Sequence, residues 1–170
     1  MADVDLTFRE LASTDSGLYV VAAMHYRAWQ VCYAEIIPEA DRRKTDGLAF
    51  VDGYKAFIEQ AHHSLLIAEH EGRVVGMSMY SVVDGQGWIE ALYLDVDSKH
   101  RRFGKALLVE VLTRINADVT TLDCAVGNIE GQAFWKRNGF HRIGEGQPYQ
   151  LDSGMTPVPT DRYQRGGGQQ

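Results

Sequence analysis

A chain of 170 residues is long enough for one domain with a substantial core, and 45% apolar with 24% charged residues is ordinary for a soluble globular protein. The net charge of −6 argues against nonspecific nucleic-acid binding as the main task. Two widely spaced cysteines exclude a disulfide scaffold, and no apolar run approaches the ~20 residues that span a bilayer. The acidic start Met1–Asp5 does not read as a signal peptide, so a cytoplasmic setting with no membrane partner is expected. His62, His63 and His70 lack the paired spacing of metal ligands, and no metal site is expected.

Val4–Leu11 alternates enough for a first strand. Asp15 or Ser16 can cap a helix over Gly17–Cys32, with Leu18, Val21, Ala22, His25 and Trp29 on its apolar stripe. Pro38 ends the break that follows, and Leu48–His62 reads as a second helix. Ser64–Glu69 and Arg73–Val83 read as strands joined by a Glu71-Gly72 hairpin turn. After a turn at Asp84–Gly87, Trp88–Val96 completes an antiparallel meander. Gly104–Asn116 has the strongest helical period, through Leu107, Leu108, Val111, Leu112 and Ile115. Thr120–Val126 is a β-rich run, Asn128 caps a helix to Asn138, and Gly139 ends it. Phe140–Ile143 starts a strand, Gly144–Pro159 is loop-rich, Thr160–Gln164 reads as a final edge strand, and residues 165–170 read as a disordered tail after a single domain over 1–164. The strand–helix–strand unit in the second half requires one parallel pair in an otherwise antiparallel sheet, so the fold class is mixed α/β.

One stretch carries chemistry. Leu94-Asp95-Val96 runs into the cationic loop Asp97–Arg102, which opens directly into a helix at Phe103-Gly104-Lys105-Ala106. Unpaired N–H groups and the helix dipole make such a start an anion site, and Gly104, lacking Cβ, lets a phosphate approach the backbone. A P-loop is excluded, because Lys99 replaces its first glycine and Ala106 its hydroxyl residue. A Rossmann fingerprint is absent after the first strand.

The order Arg101-x-x-Gly104-x-Ala106 resembles the pyrophosphate loop of the GCN5-related N-acetyltransferases (GNAT). Ile67–Gly76, Glu90–Val96 with the loop to Gly104, and Asn128–Phe140 resemble that family in the right order, over roughly Leu6 to Tyr163. The resemblance implies a central, mostly antiparallel sheet splayed between its fourth and fifth strands and flanked by about four helices. It implies acetyl-CoA as cofactor and an amine, small-molecule or peptide, as acceptor, and it admits a homodimer. Aligned without gaps, Leu94, Asp95 and Val96 would pair with the pantetheine amides; a two-residue shift would make the segment Leu92-Tyr93-Leu94. The backbone of Arg102, Phe103, Gly104, Lys105 and Ala106, with charge from Arg101 and Lys105, would cradle the diphosphate. Asn128 would hydrogen-bond the pantetheine arm besides capping its helix, and Trp135 would lie against the cofactor. Trp29 and Tyr33 read as acceptor-site wall or as core.

Glu90 is the expected general base. By alternation it shares a strand face with Leu92, Leu94 and Val96, where a lone carboxylate is costly unless it has a job, although a strand face open to water would also hold it. Trp135 stands where many members carry the tyrosine that protonates the departing thiolate, and indole is no usable acid. A thiol of pKa about 8.5 makes its thiolate uphill by only ~2 kcal/mol at pH 7, and a general acid gives ~10²–10⁴-fold. Its loss slows transfer without abolishing it, and Cys124, Tyr33, Tyr93, Tyr149 or Tyr163 could stand in. Two other readings stay open: a coenzyme A-binding sensor without activity, motivated by Trp135, and an interaction domain whose basic loop contacts a protein. Glu35, Glu39 and Asp41 read as attractors of a cationic amine or as plain surface charge.

Overall fold

The computed structural model describes residues 5–98 and 102–167. In chain order the elements are β1 (Thr7–Glu10), α1 (Gly17–Cys32), α2 (Glu39–Arg42), α3 (Gly47–Ile58), β2 (His63–His70), β3 (Arg73–Val83), β4 (Gln86–Leu94), a 3₁₀ turn (Val96–Ser98), α4 (Phe103–Ile115), β5 (Val119–Ala125), α5 (Ile129–Arg137), β6 (His141–Glu145) and β7 (Thr160–Gly166). The seven strands form one sheet in the order β1-β2-β3-β4-β5-β7-β6. Every pair is antiparallel except β4–β5, joined through the α4 crossover. Among the described residues five α-helices flank the sheet, one of them the single turn α2 that follows Pro38.

The helical and strand periods account for the layering. Leu65 and Ile67 point to one face of β2 and pack with Leu18, Val21, Trp29, Phe50 and Tyr54 of α1 and α3. Leu66 and Ala68 point to the other face and pack with Leu107, Leu108, Val111 and Ile115 of α4. A strand buried on both faces must read as an unbroken apolar run, as Leu65–Ala68 does. The Glu71-Gly72 turn has positive φ at both residues, 50° and 75°, the mirror-image turn that matches the twist of a hairpin.

Two expectations are corrected. The last strand is not at the edge: β7 lies between β5 and β6, with Tyr163 only 1% exposed. The polar β6, with His141, Arg142 and Glu145 exposed, takes the edge instead, where charge protects unpaired backbone. β7 also extends through Arg165 and Gly166, which pair with Thr120 and Val119, so those two residues belong to the sheet.

The second correction concerns Glu90. The β3–β4 register pairs Met79 with Ala91 but Tyr80 with Ile89, leaving Glu90 as the extra residue of a bulge. A bulge resets the two-residue alternation. Ile89 therefore packs on the α4 side together with Leu92 and Leu94, whereas Ala91 and Tyr93 face α1. Glu90 is exposed instead of sharing a buried face with Leu92 and Leu94. Among the described residues no helix is long and apolar enough to cross a membrane.

Gly87 allows β4 and β5 to meet. A Cβ there would collide with Ile115 Cγ2 and lie 2.7 Å from Thr120 Oγ1. Gly87→Val is expected to destabilise the fold by about 1–3 kcal/mol, read from urea denaturation, because neither neighbour can retreat in a packed interior.

Candidate functional site

The parallel β4–β5 ladder is short. Gln86, Gly87, Trp88 and Ile89 pair with Val119, Thr120, Thr121 and Leu122, and beyond them no β4–β5 pair continues. The strands part at the Glu90 bulge and open a cleft of about 1340 Å³. Its walls come from the end of α1, from β4, from β5 with the start of α5, and from the segment Gln147–Gln150.

The β4 edge along this gap is open. The Asp95 N–H donates to the Val75 carbonyl across β3, at 2.9 Å. Backbone groups alternate sides along a strand, so Tyr93 also faces β3, while the N–H and C=O groups of Leu92 and Leu94 turn to the cleft. β4 ends at Leu94, and Val96 lies in the 3₁₀ turn. Of the expected run Leu94, Asp95 and Val96, only Leu94 lines the cleft. The open strand edge is Leu92–Leu94, the shifted register. Asp95 is 4% exposed, and among the described residues its Oδ1 has no hydrogen bond, with the Arg27 guanidinium at 3.6 Å.

At one end the β4 edge leads to the start of α4. Ala106 N bonds to Arg102 O, so its amide is already engaged, while helix geometry leaves the N–H groups of Phe103, Gly104 and Lys105 without intrahelical acceptors. Arg102, at the N-cap, sits in the left-handed region with φ 62°, and among the described residues no side chain is seen to cap the helix. Arg102, Lys105 and Arg137 line this end of the cleft. Cations at the positive end of a helix dipole are unfavourable unless an anion joins them. The Phe103 side chain is core, 3% exposed and 5.1 Å from the His70 ring, so only its backbone faces the site. Gly104 has a packing duty as well: a Cβ there would lie 3.1 Å from Leu94 Cδ1 and 3.3 Å from Phe134 Cε2. Arg101, with Lys99 and His100, lies outside the described residues.

Asn128 caps α5 as expected and also lines the cleft. Its Oδ1 accepts from Gly131 N at 2.9 Å, capping α5, and its Nδ2 donates to Cys32 Sγ at 3.5 Å across the cleft. Trp135 lines the cleft but is only 8% exposed, wedged edge-on between Phe134 and Phe140. Glu90 lines the cleft, and its Oε2 accepts from Trp88 Nε1 at 2.9 Å. Arg162 lies 5.1 Å over the Trp88 ring and grips Asp123 through two bonds of 2.8 and 3.0 Å. Asp123 in turn accepts from Gln147 N at 2.9 Å, tying the 147–150 wall to β5.

Tyr33 lines the cleft, stacked on Tyr149 at 5.2 Å. Trp29 does not line it: fully buried, it donates its indole N–H to the Tyr149 hydroxyl at 2.8 Å. Tyr163 is buried on the α4 side and lies outside the cleft lining. Burial pushes the Tyr149 phenol and the Cys124 thiol up to about 12, and raises Tyr33 and Tyr93 as well. Of the three acidic candidates only Glu35 lines the cleft, since Glu39 pairs with Arg43, and Asp41 with Lys44 at 2.8 Å. Sequence reasoning passed over Trp88, Asp123 and Arg162, which alternate along polar strands like ordinary surface residues.

A split sheet with an open strand edge and a cationic helix start is the arrangement that the resemblance to the GCN5-related N-acetyltransferases implies. The model of the acetyltransferase (GNAT) family matches residues 23–140, and the chain belongs to that family. The fold is similar to that of the PaiA N-acetyltransferase from Thermoplasma acidophilum, solved in complex with coenzyme A, with TM-score 0.78 and 17% identity over 96% of this chain and 99% of that one. It is also similar to the ribosomal-protein-S18-alanine N-acetyltransferase from Escherichia coli (TM-score 0.66, 16% identity, 95% and 93% covered) and the ribosomal-protein-alanine N-acetyltransferase from Brucella melitensis (0.65, 17%, 94% and 99%). A comparison with curated protein sequences gave no match.

Behind the cleft, His25 is buried among Phe50, Tyr54 and Tyr93, its Nδ1 2.6 Å from the Tyr54 hydroxyl, and desolvation lowers its pKa to about 3. The unfolded chain takes up a proton near pH 6.5 that the folded one refuses, so stability falls as pH drops from 6.5 toward 3. Between pH 6.5 and 5 the wild type is expected to lose about 1.6 kcal/mol that His25→Gln does not lose, measured by urea denaturation across pH.

Proposed function

We propose that the protein is an N-acetyltransferase that moves an acetyl group from acetyl-CoA to a primary amine by direct attack in a ternary complex. The observation that carries this reading is the open Leu92–Leu94 edge running into the cationic start of α4. An extended chain bearing amides and ending in a diphosphate matches that sequence of features: strand-edge donors and acceptors, then amide N–H groups with positive charge. The residues therefore fit the cofactor, which supplies an activated acyl thioester when bound.

In this reading Leu92 and Leu94 pair through their backbones with the pantetheine amides. The N–H groups of Phe103, Gly104 and Lys105 hold the diphosphate with Arg102, Lys105 and Arg137, and Arg101 belongs by sequence to the same loop. Asn128 retains one N–H and one lone pair beyond its two observed bonds and offers them to the pantetheine arm. The acceptor enters opposite, beside Glu35, Tyr33 and the Gln147–Gln150 wall. An alkylamine is protonated at pH 7, and neutralising it costs ~4–5 kcal/mol. Glu90 takes that proton, its carboxylate oriented by the Trp88 indole. Both small-molecule amines and peptide amines suit this description.

A second reading, a coenzyme A-binding sensor, is favoured by Trp135, which brings no acid to the cleft. Titration calorimetry with acetyl-CoA is expected to show micromolar binding, weakened roughly tenfold by Lys105→Glu. An amine panel scored by thiol release then separates the readings: binding without any amine-dependent release leaves the sensor, and no binding overturns both. Glu90→Gln is expected to lower kcat at neutral pH by about 10²–10⁴-fold with the acetyl-CoA Kd nearly unchanged, and unchanged turnover would exclude Glu90 as the base.

A further inference from the structure

We propose that the Tyr149 hydroxyl donates the hydrogen bond that stabilises the departing sulfur, with Trp29 as the positioning residue that aims it. The inference rests on the acetyltransferase reading above. When an amine is acetylated, a C–N bond forms and a C–S bond breaks, and the C–S electron pair leaves on sulfur. Starting from the ammonium form, one proton leaves before attack and a second leaves the acylated nitrogen, both passing through the base to water, so one amide, one thiolate and two protons result. A thiolate released into a partly buried cleft is costly unless a donor meets it.

Three phenols line the cleft among the described residues: Tyr33, Tyr93 and Tyr149. Tyr33 and Tyr93 share a hydrogen bond in which either hydroxyl can donate, whereas Tyr149 has a partner that can only donate. The Trp29 indole has a donor and no acceptor, and its N–H lies 2.8 Å from the Tyr149 oxygen. That bond occupies a lone pair and compels the Tyr149 proton to point elsewhere. Trp29 is fully buried and Tyr149 half-buried on the cleft wall, so the direction left open is the cleft. Stacking on Tyr33 at 15° between planes, and a two-way backbone bridge to Val158 with both bonds at 2.7 Å, hold the ring and its chain. The indole N–H also favours negative charge on the phenol oxygen as its proton leans toward sulfur. The titratable neighbours are Cys32, Tyr33, Tyr93 and Cys124; burial holds the Tyr33, Tyr93 and Cys124 protons in place at neutral pH. Trp135, by contrast, is wedged between two phenylalanines.

The test reads the sulfur directly and needs no acceptor. Coenzyme A is titrated with pH in its complex with the protein, and thiolate is followed by its ultraviolet absorbance. Bound thiol is expected to ionise about one pH unit below free coenzyme A titrated alongside, because a hydrogen bond to the charged form favours it. Tyr149→Phe, which deletes one oxygen, is expected to abolish that shift and, in turnover with an identified amine, to lower kcat about 10²-fold with the acetyl-CoA Kd nearly unchanged. Trp29→Phe keeps a ring in the core and is expected to give an intermediate shift. Wild-type binding of coenzyme A with a thiol pKa that Tyr149→Phe does not move would overturn the assignment, as would a larger effect of Tyr33→Phe or Tyr93→Phe. Failure of the wild type to bind coenzyme A would overturn the acetyltransferase reading itself.

Discussion

Everything in this molecule that bears on function follows from two parallel strands that pair for four residues and then separate. Backbone amides in a sheet interior are normally spent on their neighbours. At the Glu90 bulge β4 turns from β5, and the groups of Leu92 and Leu94 lose the partner that ladder geometry would have given them. Such an edge is a liability in the middle of a sheet, and it persists because both flanks are anchored. Gly87 admits the close β4–β5 contact on one side of the bulge, and Gly76 and Gly104 let Leu94 seat against α4 on the other.

The two faces of the sheet divide the labour. The α4 side is packed with Leu107, Leu108, Val111 and Ile115 and presents a rigid helix start with cationic residues. The α1 side ends in an aromatic cluster in which His25 stacks on Phe50 and meets Tyr93 at a tilt, while Trp29 fixes Tyr149 from beneath. Aromatic residues suit this place, since a ring fills the core and its polar tip reaches a wet cavity. The Asp123–Arg162 pair with the Arg162–Trp88 contact spans β5, β7 and β4 where the cleft begins. It ties the position of Glu90 to that of the loop carrying Tyr149.

Trp135 shows why one substitution in a motif need not decide an activity. It fills a core position between Phe134 and Phe140, where an indole packs well and a charge-bearing acid would be desolvated. Other polar groups line the same cavity, and their usefulness depends on what fixes their protons. That property lives in contacts such as Trp29 to Tyr149, separated by 120 positions in the chain.

The sequence by itself determined the element order apart from α2, the helix at the cationic loop and its resemblance to an acetyltransferase family, because these rest on local periodicity, capping and turn chemistry. The α1 span Gly17–Cys32 and the β3 span Arg73–Val83 coincide with the reading from apolar spacing. Only the tertiary structure decided three things. It put β7 inside the sheet and β6 at its edge, since strand neighbours depend on which faces are buried rather than on chain order. It moved the open strand edge to Leu92–Leu94 and exposed Glu90, since a single bulged residue reverses every alternation after it. It also sent Trp29 into the core to hold Tyr149, because a hydrogen bond between an early helix and a late loop leaves no periodic trace in the chain.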